Sequence, residues 1–379
     1  MINILIGGDI CPINRNKQYF INGDIKKIYN DLLDEFINAD ISIINLECPL
    51  VNDGKPIDKI GPIYGVEKDC IKGLSGVPID IVNLANNHIL DFDVEGLMST
   101  IKACNENGIK TVGAGINIIE ARRAYIVEIK GLKIGFMGVA DREFSIATNS
   151  KGGANPLDLT NIIPDILSLK KKVDHIILLL HTGFDRYPYP SPNLMKLCRM
   201  LVELGVMCVV CQHSHCPGTY EVYNDGYIIY GQGNLIFDIM AKQSDIWNQG
   251  FLVKLIINEM NKKHNVEFIP YLQSDISPGL CRMRKDIENE FLLSLYNRSE
   301  ELMDEGKIEN RWRIYCKYLE MNYLNMVMFN NRIFKRFNNI LHFDKLIFSK
   351  RKRLLLSNLF RSEVHREILE KIFSDKTID

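Results

Sequence analysis

Seven polar residues stand where apolar runs of this sequence stop. Asp9 follows "INILIGG", Glu47 follows "ISIINL", Asn87 and His88 follow "IVNLA", His181 follows "IILLL", and His213 and His215 follow "VVCQ". Six of them are ordinary metal-ligand types, and imidazole with carboxylate suits Zn, Mn or Fe. Taken singly, each has a plainer reading: Asp9 could cap a turn, Glu47 could be a loop carboxylate, Asn87 a helix cap, and His181 a core histidine bonded to backbone. The pair His213 and His215 resists that treatment, because residues two apart on an extended segment point the same way and can converge. So many placements at strand ends favour one shared centre over unrelated turns.

A two-metal centre accounts for the set. Two ions about 3.5–4 Å apart acidify a water and clamp both oxygens of an in-line displacement, and a carboxylate such as Glu47 can bridge them. His88 follows Asn87 directly, so it can stand beside the ions without coordinating. That position suits a general acid or a cation facing developing charge. Arg186, Tyr187 and Tyr189 in "DRYPYP", shortly after His181, offer a guanidinium and two phenols to an anionic substrate.

The elements that must position these residues alternate in type. Short runs rich in Ile and Val recur from residue 1 to about 275. Between them lie helical patterns such as "VEGLMSTIKACNENG" and "SPNLMKLCRMLVELG", closed by Gly108 and Gly205. Glycine just past the last periodic residue is a normal helix stop. The alternation predicts an α/β domain, whose sites gather at the carboxyl ends of strands. Beyond about residue 280 the strand-like runs vanish, so the predicted organisation is an α/β domain over 1–278 and a helical C-terminal region over 279–379. From Arg332 to Arg361 the only acid is Asp344, while "SKRKR" concentrates positive charge and Phe334, Phe337, Phe343, Phe348 and Phe360 interleave. Such a segment either packs its aromatic side on the main domain or lies against an anionic membrane or polymer.

Composition sets the remaining bounds. With 379 residues, 46% hydrophobic and 25% charged, the chain is globular. Its net charge of -1 gives no bulk signal for nucleic acid. "MINILIGGD" turns polar too soon for a signal peptide, and no apolar run reaches the roughly 18 residues of a membrane span. A cytoplasmic protein is expected, with any membrane contact peripheral at the inner face. Its ten cysteines then read as reduced thiols. Cys208, Cys211 and Cys216 bracket the two histidines, but Cys208 lies in an apolar strand-like run, which argues against a zinc site there.

The order Asp…Glu…Asn-His…His…His-x-His resembles the calcineurin-like metallophosphatase fold. More closely, "GGDI", "NLECPL", "LANNHILDF", "GIKTVGAGINIIEA", "LLLHTGFD", "QHSH" and "YGQGNLIFD" resemble the CapA-like (PGA_cap) family, named for poly-gamma-glutamate capsule formation. They span residues 7–238. The resemblance implies a four-layer α/β/β/α sandwich with a C-terminal helical extension, its loops converging on two divalent metal ions (Mn, Fe or Zn). It implies Asp9 and His215 at the first ion, Glu47 bridging, and Asn87, His181 and His213 at the second. His88 would act beside them, oriented by Asp91, with Asn234 supporting the histidine loop from behind.

Three departures stand out. Metallophosphatases usually carry Asp-x-His on the first strand, whereas Cys11 follows Asp9 here, which makes Cys11 a candidate thiolate ligand. The family's His-Trp-Gly-x-Glu-Tyr becomes "HTGFDR" and its Gly-His-His-Pro-His becomes "CQHSH". The expected ligands survive inside a changed surround, which bears on substrate identity more than on metal binding. The expected function is a dinuclear metal-dependent hydrolase, phosphatase or phosphodiesterase-like, in capsule or other cell-envelope polymer biosynthesis, acting on an anionic small molecule or polymer. The alternatives are a non-catalytic assembly factor that binds a polymer or synthase, and hydrolysis of an amide bond by the same centre.

Overall fold

The computed structural model describes residues 1–243, 245–328, 332–343, 347–361 and 369. In chain order its strands begin with β1 (Ile2–Cys11), β2 (Ile41–Leu46), β3 (Ile81–Asn83), β4 (Lys110–Val112) and β5 (Ala114–Gly115). There follow β6 (Tyr125–Ile129), β7 (Leu132–Ala140), β8 (Gly153–Ala154), β9 (His175–His181), β10 (Cys208–Gln212) and β11 (Tyr220–Tyr223). The last are β12 (Gly226–Ile229), β13 (Asn234–Phe237), β14 (Gln249–Ile257), β15 (His264–Gln273) and β16 (Leu280–Arg282). An eight-stranded sheet runs β16-β15-β14-β1-β2-β3-β4, with β13 also paired to β1, and a six-stranded sheet runs β11-β12-β10-β9-β7-β6. Their centres are parallel: β1 with β2, β2 with β3, β7 with β9, and β9 with β10.

Strand alternation decides what lies on each face. In β1, Ile2, Ile4 and Ile6 join Ile43 of β2, Phe136 of β7, Ile177 and Leu179 of β9 and Val253 of β14 in one core between the sheets. Leu5, Ile44 and Val82 face the other way, into a second core with Phe20, Tyr29, Phe36, Leu74 and Leu97 from the helical segments of the first hundred residues. The outer face of the six-stranded sheet is covered by the helices Leu159–Lys170 and Pro192–Glu203, which pack on β9, β10 and β12. The result is the α/β/β/α sandwich expected from the resemblance. Both sequence-predicted helices form, as Asp93–Glu106 and Pro192–Glu203, and Gly108 (φ 76°) and Gly205 (φ 111°) take positive φ past their ends.

The chain divides into two compact units, Met1–Ile308 and Glu309–Asp379. Among the described residues strand content ends at Arg282, close to where the sequence texture changes, yet the first unit runs on to Ile308. The reason is packing: the helix Lys285–Glu300 inserts Phe291 and Leu295 into the inter-sheet core. In the second unit Phe348 is buried while Phe343 and Phe360 are exposed. Asp344 and the side chains of Phe334 and Phe337 lie outside the described residues. Among the described residues no helix is long and apolar enough to cross a membrane. All ten cysteines are free, and Cys208 points into the inter-sheet core.

Candidate metal centre

Parallel strands from both sheets end at one place, and the polar residues follow them there. Asp9 lies near the end of β1, where the register slips against both β2 and β13. Such irregularities re-aim a side chain. Gly8 permits it, since a Cβ there would stand 2.0 Å from the carbonyl oxygen of Gly233. Glu47 directly follows β2, His181 ends β9, and the histidine loop follows β10. After β3, Asn86 closes the turn by accepting the His88 backbone N–H on its side chain (3.1 Å) and donating to the Leu46 carbonyl (2.8 Å). The turn reading therefore fits Asn86, while its two successors are presented to the site.

Glu47, His181 and His213 each offer a donor atom within 4.8 Å of the others, and so do Asp9, Glu47 and His215. Glu47 belongs to both sets. His181 Nε2 is 3.1 Å from Asn87 Oδ1, 3.2 Å from His213 Nδ1 and 3.4 Å from Glu47 Oε1. His215 Nδ1 lies 2.8 Å from Asn234 Oδ1, and its Nε2 3.8 Å from Glu47 Oε1. A ring nitrogen donating to a carbonyl oxygen fixes the tautomer and leaves the other nitrogen free to ligate.

Beneath the donors lies a layer of buried amides. Asn45 donates to Asp9 Oδ1 (2.7 Å), Asn83 and Asn86 donate to Asn45, and Asn83 also reaches Gln212. Gln212 in turn donates to Gln232 and to the Gly7 carbonyl. These residues are at most 2% exposed. The only sequence signal for them is an amide interrupting an apolar strand, as in "IINL", "IVNL" and "VVCQ".

The residues fit a cation by their own electrostatics. Among the described residues neither oxygen of the fully buried Glu47 gains a hydrogen bond of good geometry, its near neighbours being the acidic Asp9 and His181 Nε2 at 3.4 Å. Burial pushes its carboxyl up to about 8, and burial together with the Glu47 charge pushes Asp9 up to about 7. Burial drives His181 down to about 4 and His213 to about 3, with His215 well below its ordinary value. Neutral imidazoles beside carboxyls that hold displaceable protons form a donor set completed by a divalent cation.

His88 stands beside this set, 5% exposed, and its Nδ1 lies 2.7 Å from Asp91 Oδ2. Because the carboxylate only accepts, the contact is made with the proton on Nδ1, the tautomer that leaves Nε2 for chemistry. Two partners were not foreseen. Lys59 is buried and ion-paired with Asp91, with its ammonium also 3.1 Å from His88 Nδ1. Tyr64 donates its backbone N–H to Asp91 (2.7 Å) and lays its ring 4.6 Å from the His88 ring. Both come from the irregular loop over residues 51–66, which has no periodicity to mark them.

Two sequence expectations need correction. His213 and His215 do not converge from an extended segment: they sit in a loop at φ 94° and φ 53°. The loop is held by the His213 N–H donating to Asp9 (3.1 Å) and by the His215 ring stacked on Trp247 (4.5 Å). Positive φ at a non-glycine residue is strained by about 1–3 kcal/mol. His213→Gly is therefore expected to melt higher than His213→Ala by about 1 kcal/mol in metal-free protein, with both losing cation binding, as read by calorimetric titration. Cys11 is not among the converging donors. It sits in the core under the helices, where burial and the neighbouring Cys48 hold the thiol well above its ordinary value. Tyr187 is buried against Tyr189. Arg186 remains accessible: its N–H donates to Ser214 of the histidine loop (2.8 Å), and its guanidinium lies over Trp247 and pairs with Asp245 (3.1 Å).

This sandwich, with histidine and carboxylate donors gathered at the strand ends, belongs to a recognised class. The family model of the bacterial capsule synthesis protein PGA_cap matches residues 3–239, and the chain belongs to that family. It is 30% identical over 210 residues to the capsule biosynthesis protein CapA of Bacillus anthracis, covering 53% of this chain and 51% of that one. It is 30% identical over 175 residues to the PGA biosynthesis protein CapA of Bacillus subtilis (strain 168), covering 45% and 46%. Over 213 residues it is 28% identical to a probable polyglutamine synthesis accessory protein of Mycobacterium tuberculosis, covering 53% and 56%. The chain thus spans about half the length of the curated relatives it matches.

Proposed function

We propose that this protein is a hydrolase dependent on two divalent cations. It would cleave a phosphoester during biosynthesis of capsule poly-gamma-glutamate or another cell-envelope polymer. The observation that carries the reading is Glu47: a fully buried carboxyl with both oxygens unmatched, shared by two sets of converging donors. A buried carboxylate without good donors is strongly destabilising unless it takes up a proton or meets a cation, and two converging donor sets offer the cation. The relatives' printed roles supply the process.

Asp9, Glu47 and His215 would hold one ion, and Glu47, Asn87, His181 and His213 the other. Bound there, the ions would supply Lewis acidity toward a phosphoryl oxygen and lower the pKa of water. The protein's own side chains do the rest. The amide layer keeps the donors from rotating away, and Asp91 anchors His88 so that its Nε2 can pass a proton to a leaving oxygen. Arg186, beside the histidine loop, recognises the anionic part of the substrate.

Two measurements test this. Turnover of a phosphodiester by the Mn-supplemented protein should vanish in His181→Ala. Cation binding should release protons and tighten with pH, by at least tenfold between pH 6 and 8 at about one proton per carboxyl, because the Asp9 and Glu47 carboxyls titrate there (about 7 and 8) while the imidazoles are already neutral. Metal binding without turnover of any phosphoester would favour the assembly-factor reading. Absence of both would end the proposal.

A further inference from the structure

The C-terminal region carries a charge pattern that the centre does not use. Residues 332–361 contain nine Lys and Arg against one acid, Asp344, in a chain whose total is -1. The helix Lys350–Arg361 opens with Lys350, Arg351, Lys352 and Arg353 in succession. That arrangement opposes the helix dipole, whose positive end lies there. Of the four, Arg353 meets Glu320 (2.8 Å), while among the described residues no acidic side chain pairs with Lys350, Arg351 or Lys352. Among the described residues of the region no acidic partner therefore accounts for these three cations.

The apolar residues are placed as unexpectedly. Ile340, Leu341, Phe343, Leu354, Leu355 and Phe360 are exposed, between 41% and 74% of their surface. Large side chains left in water beside unpaired cations match a surface that is anionic at its face and apolar beneath it. A nucleic acid would engage the cations and leave Leu354 and Leu355 wet. A second protein copy would set the same positive charges against each other. We infer that the C-terminal helical region lies on an anionic lipid bilayer through residues 340–343 and 347–361, with Lys350–Lys352 at the headgroups and the neighbouring leucine and phenylalanine side chains below them. This holds whether or not the centre is hydrolytic.

Co-sedimentation of the full chain with vesicles tests it. Binding is expected to be at least tenfold stronger to vesicles containing phosphatidylglycerol than to phosphatidylcholine alone, and to weaken in about 0.5 M salt. Lys350→Glu/Arg351→Glu/Lys352→Glu and, separately, Leu354→Ser/Leu355→Ser should each lower it at least tenfold, with the melting of the first unit unchanged. Equal binding to neutral vesicles overturns the inference, as does no binding to either, or variants that bind like the parent. Sedimentation velocity showing that the exposed leucines instead hold a dimer overturns it as well.

Discussion

Glu47→Gln is expected to stabilise the metal-free protein and at the same time to abolish its affinity for divalent cations. Both effects follow from one carboxyl. Glu47 is an acid whose folded pKa, about 8, lies above its ordinary 4.5 because burial disfavours the charge. Between those values the folded state binds more protons than the unfolded state, so stability falls as pH rises through the window. Asp9, raised from 3.8 to about 7, contributes in the same direction. Below about pH 6.5 the burial-depressed His181, His213 and His215 work in the opposite direction, so metal-free protein should melt progressively lower between about pH 6.5 and pH 8. Glutamine keeps the shape, removes the charge and relieves Asp9 of its repulsion. At pH 8 the variant should gain about 1–3 kcal/mol, a rise in Tm of several degrees, and its melting should depend less on pH. With saturating Mn the order should reverse, since only the parent gains binding energy. Scanning calorimetry at two pH values, with and without metal, decides it. A variant that melts lower than the parent at pH 8 without metal would remove the electrostatic argument for the centre.

Lys59→Met is the other large effect. Lys59 and Asp91 form an ion pair in which the side chains are 3% and 0% exposed. Removing one partner of a buried pair leaves the other charge uncompensated, at about 3–5 kcal/mol. Asp91 would retain the Tyr64 N–H and His88 but lose its ammonium. The double variant Lys59→Met/Asp91→Asn removes both charges and should recover most of the loss, so the cycle should be strongly non-additive. The single variant should also depress kcat more than KM, because Lys59 acts by positioning the Asp91–His88 pair. Urea melts of the four proteins, with turnover of the two that fold best, separate these contributions. Additive losses in the cycle would show that Lys59 and Asp91 act independently.

Much of the centre was legible in the chain because the information is local. A strand alternates its faces every second residue and an α/β sheet gathers its chemistry at the carboxyl ends of strands. Asp9, Glu47, Asn87, His88, His181, His213 and His215 could therefore be found as polar residues ending apolar runs. Conformation in the loops was not local in that sense. His213 and His215 meet the other donors through a strained turn held by Asp9 and Trp247, where strand periodicity had suggested an extended segment. Cys11, two residues from Asp9, is turned into the core by a slip of register that no pattern in "GGDIC" announces. Lys59 and Tyr64 reach Asp91 across sequence separations of 32 and 27 residues. Such contacts depend on how an irregular loop closes over the folded sheet. The sequence by itself determined the layers, the donor types and their order along the chain. Only the tertiary structure decided which carboxyl is left without a partner, which cation steadies His88 and which thiol stays out of reach, because burial and desolvation are properties of the assembled interior.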